Sequence, residues 1–121
     1  MSNRIPFPNK IDIGYITFNI KDRREFPGVG EGDGESLSGQ TCMAKKEISV
    51  YHHLSENETD ECNTLLHECL HGAFYAYGLH NVFNDKKEEF MVNAFGNMCI
   101  ELFQRNPELL SYIQKVNKKN S

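Results

Sequence analysis

A short stretch of the chain carries two histidines and a glutamate at a spacing that can bind a metal ion. It reads Leu-His-Glu-Cys-Leu-His-Gly over residues 66–72, so His67 and His71 are four positions apart. Residues four apart on an α-helix share one face, and both imidazoles can reach one zinc ion. Glu68 lies about 100° around the helix from His67, where a carboxylate can take a proton from zinc-activated water. The motif therefore predicts a zinc peptidase with His67 and His71 as ligands and Glu68 as the general base.

The residues around the motif have the features of a long helix. Ser55 and Glu58 have the Ser-x-x-Glu spacing of a capping box, which predicts a helix start at about residue 56. Gly78 fits the position just beyond the helix end. Apolar residues recur between these limits at helical spacing and predict a buried stripe: Leu65, Leu66, Cys69, Leu70, Ala73 and Ala76. The alternative is an amphipathic helix whose polar stripe happens to carry two histidines, but this context favours metal binding.

The composition is that of an ordinary globular protein. Its 121 residues allow one domain, residues 1–121, in which 39% of residues are hydrophobic and 25% charged. The net charge of −4 provides no basic surface for nucleic acid. No apolar run approaches a membrane span, and the first residues lack the apolar segment of a signal peptide. A cytoplasmic location without membrane or nucleic-acid partners is therefore expected.

The four cysteines show no Cys-x-x-Cys spacing, and three of them fall on apolar stripes of predicted helices. Without a secretion signal, this pattern predicts buried reduced thiols rather than disulfides or zinc ligands. The residues concerned are Cys42, Cys62, Cys69 and Cys99.

The N-terminal half has the pattern of short strands. Residues 11–21 alternate and predict one half-buried strand, with Ile16, Phe18 and Ile20 on its buried face. Residues 23–39 are rich in glycine and predict a mobile surface loop. Two further strands are predicted at 40–44 and 47–51, joined at Lys45-Lys46, while residues 1–10 and 117–121 are expected to be frayed.

The C-terminal half has the pattern of helices. Residues 85–103 predict a second helix, and Pro107 can begin a third one that ends at about residue 116. Strands that precede helices predict an α+β domain. Its small N-terminal β-sheet would pack on the motif helix, and the second, C-terminal helix would follow.

The third zinc ligand must come from outside the motif helix, because a catalytic zinc has three protein ligands and one open position. Glu88 and Glu89 begin the second predicted helix, and the length of chain after His71 lets that helix return to the first. Asp85 and Glu88 have the spacing of a capping box, which would engage Glu88 and leave Glu89 free. Glu89 also shares a stripe with Gly96, where the two helices could approach closely. The spacing favours Glu89, with Glu88 as the alternative.

Three further features have weaker interpretations. Tyr75 follows His71 by four residues and is a candidate donor to the oxyanion of the reaction, with core packing of its ring as the alternative. His80 is a second candidate for that role. The strand at 47–51 could pair with an extended substrate, or it could be a plain sheet edge.

Two segments together resemble the gluzincin type of zincin-like metallopeptidase, in particular compact bacterial and phage proteins related to the ImmA/IrrE and SprT-like families. The first is the motif segment at 65–73. The second, Glu-Phe-Met-Val-Asn-Ala-Phe-Gly at 89–96, is similar to the Glu-x-x-Ala-Asn-x-Phe-Ala segment that carries the third ligand in ImmA/IrrE-like proteins. The resemblance covers residues 60–109, with Val92 and Gly96 in place of alanines. It implies a zincin fold, a Zn²⁺ cofactor with Glu89 as its third ligand, and hydrolysis of a protein or peptide substrate.

Two other functions are compatible with a zinc site. One is a zincin-fold regulatory or sensor module that binds zinc and a partner with little turnover. The other is a closed structural site in which His80 or Glu88 occupies the fourth position. The presence of Glu68 favours the enzyme, because a structural site needs no general base.

Overall fold

A small mixed β-sheet is followed along the chain by three helices in the computed structural model, which describes residues 5–23, 38–51 and 57–119. The strands are β1 (Lys10–Ile13), β2 (Ile16–Arg23), β3 (Gly39–Cys42) and β4 (Glu47–Tyr51). The helices are α1 (Glu58–Ala76), α2 (Asp85–Arg105) and α3 (Pro107–Lys119), with a short 3₁₀ turn at Leu79–Asn81. The predicted α+β class is confirmed.

The four strands lie in the order β1-β2-β4-β3. β2 and β4 are parallel, whereas β1 pairs with β2 and β3 pairs with β4 in the antiparallel sense. Ile48 of β4 therefore lies between Ile20 of β2 and Thr41 of β3. The predicted use of residues 47–51 as a free edge is wrong, because β4 is paired on both sides. Of the four described strands, β1 and β3 are the outer ones.

The predicted single strand at 11–21 is wrong, because it is a hairpin. Ile13 pairs with Ile16, and Gly14 turns the chain with a φ of 60°. A two-residue hairpin turn needs positive φ, which glycine adopts without steric cost. The sequence carries a signal of this turn, since its apolar residues change from odd positions at 11 and 13 to even positions from 16 onward.

The core lies between the sheet and α1. Ile16, Phe18 and Ile48 are buried, and the α1 residues packed against them are Leu65, Cys69 and Ala76. The buried face predicted for residues 16–20 is thereby confirmed for Ile16 and Phe18. Because this face of α1 lies on the sheet, the rotation of the helix about its axis is set, and its histidines are left facing α2.

Loss of the Phe18 ring is expected to be costly. The side chain is fully buried in the core cluster, so Phe18→Ala should lower the free energy of unfolding by about 3–5 kcal/mol, as measured by urea denaturation. Tyr15→Ala is the matched control, because that ring is 80% exposed in the hairpin turn. The control should cost less than about 1 kcal/mol. Equal losses for the two variants would contradict this assignment of the core.

The first helix begins at Glu58, two residues later than predicted. Asn57 caps it, and the side chain of Asn57 accepts a hydrogen bond of 2.9 Å from the backbone N–H of Asp60. Ser55, the predicted cap, lies outside the described residues. At the other end Gly78 has a φ of 79°, as the prediction of a C-terminal glycine requires.

The second helix is capped by Asn84 and not by the predicted Asp85. The Asn84 side chain accepts a hydrogen bond of 2.8 Å from the backbone N–H of Lys87. The expected capping role of Glu88 is therefore wrong, and its carboxylate is available for another partner. The helix ends at Arg105, and α3 begins at Pro107 as predicted.

The predicted glycine-rich loop lies mostly outside the described residues, which leave out 24–37. Its predicted limits belong to strands, since Arg23 ends β2 and Gly39 begins β3. Of the ends expected to fray, residues 1–4 and 120–121 are not described, whereas β1 starts at Lys10 and α3 continues to Lys119. Within the described ranges, none of the helices has the combination of length and apolar character that crossing a membrane requires.

Candidate metal centre

Three side chains of ligand type meet where α1 faces the first turn of α2. They are His67, His71 and Glu89, and their potential ligand atoms all lie within 4.8 Å of one another. Glu89 Oε1 is 2.7 Å from His67 Nε2, and Glu89 Oε2 is 3.2 Å from His71 Nε2. In a tetrahedral zinc site with bonds of about 2.0–2.1 Å, ligand atoms are about 3.3 Å apart. The two carboxylate–imidazole distances are at or below this value, and the three donors together could hold one metal ion.

Glu88 contacts Nδ1 of His71, the ring nitrogen that does not face Glu89. Its Oε2 lies 2.7 Å from His71 Nδ1, and its side chain is 15% exposed against 50% for Glu89. A hydrogen on Nδ1 that is donated to Glu88 leaves the lone pair of His71 on Nε2, which faces Glu89. Carboxylates in this position fix the tautomer and the ring orientation of metal-binding histidines. Glu89 thus contacts the Nε2 atoms of both histidines, whereas Glu88 contacts Nδ1 of His71.

The general-base candidate Glu68 is held by a strand rather than by its own helix. Thr41 Oγ1 of β3 lies 2.7 Å from Glu68 Oε1 and 2.8 Å from the Glu68 backbone oxygen. Burial raises the pKa of the Glu68 carboxyl, while the Thr41 hydrogen bond and the neighbouring His67 and His71 act in the opposite direction. A carboxylate with a raised pKa is a stronger proton acceptor, which suits a general base.

Strand β3 approaches α1 so closely that one position on it requires glycine. A Cβ on Gly39 would lie 2.6 Å from Thr64 Cγ2, 3.0 Å from Glu68 Cγ and 3.1 Å from the Ser49 backbone oxygen. Because Thr64 belongs to α1 and a contact of 2.6 Å must be relieved by a shift, a side chain here would push the strand away from α1. Gly39 therefore lets Thr41, two residues along the same face, reach Glu68.

A cavity of about 540 Å³ opens over these groups, between β3 and the two helices. Its charged or titratable lining is limited, among the described residues, to His67, His71, Glu68 and Glu89. The rest of the lining is uncharged and comprises Ser38, Gly39, Gln40, Thr41, Asn63, Thr64, Val92, Asn93, Gly96, Asn97 and Ile100. The donors are thus accessible from a space large enough for a short peptide segment.

The two oxyanion candidates lie apart from this cavity. The rings of Tyr75 and His80 stack on each other, with centroids 4.7 Å apart and an interplanar angle of 9°. Neither residue lines the cavity. The Tyr75 ring is partly buried and packs on the exposed His80 rather than in the core cluster.

The four cysteines are free thiols, but they are not all buried as predicted. Cys62 is exposed, whereas Cys42, Cys69 and Cys99 are partly buried. The prediction was wrong for Cys62, whose side chain is exposed although the preceding residue of α1, Glu61, is buried. Burial raises the pKa of the Cys69 thiol to about 11.

Thiol labelling should follow these differences in exposure. We expect Cys62 to react first with a maleimide at neutral pH, and Cys69 to react at least about tenfold more slowly because its thiolate is scarce and covered. Peptide mapping by mass spectrometry measures both rates, and labelling in denaturant is the control in which all four sites react. Faster labelling of Cys69 than of Cys62 would contradict the described packing of α1.

Two contributors to the site were missed by sequence reasoning, and both lie on β3. Thr41 and Gly39 are 27 and 29 residues before Glu68 in a four-residue strand, and nothing local marks either as part of a site. The sequence marks Glu88 as an alternative ligand but carries no signal of its contact with Nδ1 of His71.

Comparison of the chain with protein-family models, with curated proteins and with solved structures gave no match in any of the three. The site is therefore interpreted from its own donors. Two imidazoles and a carboxylate suit zinc, and the same set also accepts other divalent first-row metals.

Proposed function

We propose that this chain is a zinc-dependent peptidase of the zincin-like type, in which Glu68 is the general base. The observation that carries the proposal is the position of Glu68 beside a three-donor group, at the wall of an accessible cavity. A closed structural site would need a fourth protein ligand. Among the described residues the donor group has three members, which supports an open position for water or substrate.

His67, His71 and Glu89 would hold the ion, and Glu88 would keep the His71 ring in the tautomer that presents Nε2. When bound, zinc supplies a Lewis acid that acidifies water and polarises a carbonyl oxygen. Because the side chain of Glu89 is half-exposed, an ion held by it would lie at the cavity wall, where a substrate could reach it.

Glu68 would move the proton of the reaction. Its carboxylate accepts a proton from the attacking water and then passes it to the amine that leaves when the peptide bond breaks. Burial raises the pKa of this carboxyl and so favours uptake of the first proton, and the leaving amine is the stronger base that takes it up afterwards. A single carboxyl can therefore act as the base and then as the acid.

An extended peptide would bind along β3 rather than along β4. β3 is an outer strand of the described sheet, and residues 38–41 line the cavity beside the donors. Pairing with a strand edge uses backbone hydrogen bonds and fixes the direction of a peptide. The scissile carbonyl would thereby be presented to the metal side of the cavity.

Metal analysis and a peptide library test the proposal together. The metal-free chain is loaded with zinc, and its metal content is measured before cleavage is assayed by mass spectrometry. One zinc per chain and cleavage that a chelator stops and zinc restores are the expected results. Failure to bind zinc would overturn the proposal, whereas one bound zinc without cleavage would favour the sensor function.

A further inference from the structure

We propose that Thr41 is the positioning residue for Glu68, so that strand β3 takes part in the reaction by holding the general base. The inference rests on the proposed peptidase function and adds to it a residue outside both metal-binding helices. It follows from the contacts of Glu68, from the pairing of β3 with the buried strand β4 and from the placement of Thr41 in the cavity wall.

The contacts of the Glu68 carboxylate point to a single support. Thr41 is its one hydrogen-bond partner among the described residues, at 2.7 Å from Oε1. A glutamate side chain has three rotatable bonds, and its order depends on such a contact. With Oε1 held by Thr41, Oε2 is the oxygen left for the attacking water.

The hydroxyl of Thr41 can serve both forms that a general base adopts. It has one hydrogen, so it can donate to the Oε1 of a carboxylate or to the Glu68 backbone oxygen, which lies 2.8 Å away. When Glu68 takes the proton of the water on Oε2, its Oε1 remains an acceptor for the Thr41 hydroxyl. Thr41 thus retains a hydrogen bond to the side chain in both forms.

The strand that carries Thr41 is held in place by its pairing with β4. Thr41 pairs with Ile48 of β4, which is fully buried in the core. Gly39 lets the same strand approach Glu68 Cγ, as its close contacts indicate. The sheet therefore fixes the position of the general base through Thr41. A peptide bound along β3 would pair with the strand that carries Thr41.

A pair of substitutions separates this role from simple packing. Thr41→Val keeps the shape and removes the hydroxyl, while Thr41→Ser keeps the hydroxyl and removes the methyl group. In the zinc-loaded full chain we expect Thr41→Val to lower kcat by about 10–100-fold with KM changed less than about threefold. Thr41→Ser should keep kcat within about fivefold of the wild type.

The matched control is Thr17→Val. The Thr17 hydroxyl also donates to a carboxylate on this sheet, Asp12 Oδ1 at 2.7 Å, but on an exposed hairpin away from the cavity. Its kcat should equal that of the wild type. Equal kcat for Thr41→Val and the wild type, or equal losses in the Val and Ser variants, would overturn the inference.

A crystal structure of each metal-free variant tests the inference without activity. In Thr41→Val the Glu68 carboxylate should leave its position or spread over several rotamers, whereas in Thr41→Ser it should stay within about 0.5 Å. An unmoved carboxylate in Thr41→Val would contradict the positioning role. If the wild type cleaves nothing, the peptidase proposal fails on that result alone, and these two structures still decide whether Thr41 positions Glu68.

Discussion

Replacing Glu68 by glutamine is expected to lower peptide cleavage by about 10²–10⁴-fold while zinc stays bound. The amide has the shape of the carboxylate and can still accept a hydrogen bond from Thr41, but it cannot take a proton from water. Zinc content should not change, because Glu68 is outside the three-donor group. The measurement is kcat/KM on a library-derived peptide, with zinc content and thermal unfolding recorded for the same preparation.

Glu101→Gln is the matched control for this substitution. Glu101 is an exposed acid on α2 that pairs with Arg105, so the same chemical change is made away from the cavity. Its activity should be that of the wild type. Cleavage by Glu68→Gln at more than about a tenth of the wild-type rate would exclude Glu68 as the general base.

Glu89→Gln is expected to weaken zinc binding by more than about 100-fold, and Glu88→Gln by only about tenfold. Glu89 reaches the Nε2 atoms of both histidines, so its amide would replace a charged ligand by a weak neutral one. At Glu88 an amide oxygen can still accept the hydrogen of His71 Nδ1, and the ring keeps its orientation. Competition with a chromophoric chelator measures both affinities.

The order of these two losses is the informative result. The variants differ by one position and remove the same charge, so general electrostatic effects on the cation are similar. A larger loss for Glu88→Gln would mean that Glu88 is the ligand and Glu89 the support. Equal losses would indicate that the cation is bound by both carboxylates.

The parts of the fold that could be predicted are those with local signals. The motif helix and the second helix follow from apolar residues at helical spacing, and Pro107 marks the start of α3 within one residue. The caps were misplaced because Ser55 and Asp85 satisfied a capping-box spacing, while Asn57 and Asn84 make the actual hydrogen bonds. Several polar residues near a helix start compete for the cap, and their spacing alone does not rank them.

The hairpin and the strand order depend on information of longer range. Alternation alone predicts one strand across Gly14, although the shift from odd to even apolar positions indicates a break. The central position of β4 depends on its parallel pairing with β2, which brings Glu47 opposite Asn19. No periodicity in either strand encodes that partner.

The residues of the candidate site also fall into those with a local sequence signal and those that depend on the tertiary fold. His67, Glu68 and His71 are fixed by spacing on one helix, so the sequence alone predicts their proximity. Glu89 could be favoured by its place at the start of α2, and its distance to both imidazoles agrees with that prediction. Thr41 could not be predicted, because its contact with Glu68 exists only after the sheet has formed on α1.

Two consecutive residues of α2, Glu88 and Glu89, contact the two ring nitrogens of His71. Together these contacts fix the rotation of α2 about its axis relative to α1. Consecutive residues differ by about 100° around a helix, so a small roll of α2 would break one contact as it compressed the other. Insertion of one residue just after Glu89 would keep both contacts with His71. It would rotate Val92 and Gly96 away from the cavity by about 100°. Evolution and design should therefore find the length of the 79–84 connection adjustable, and the residue count of the first turns of α2 nearly fixed.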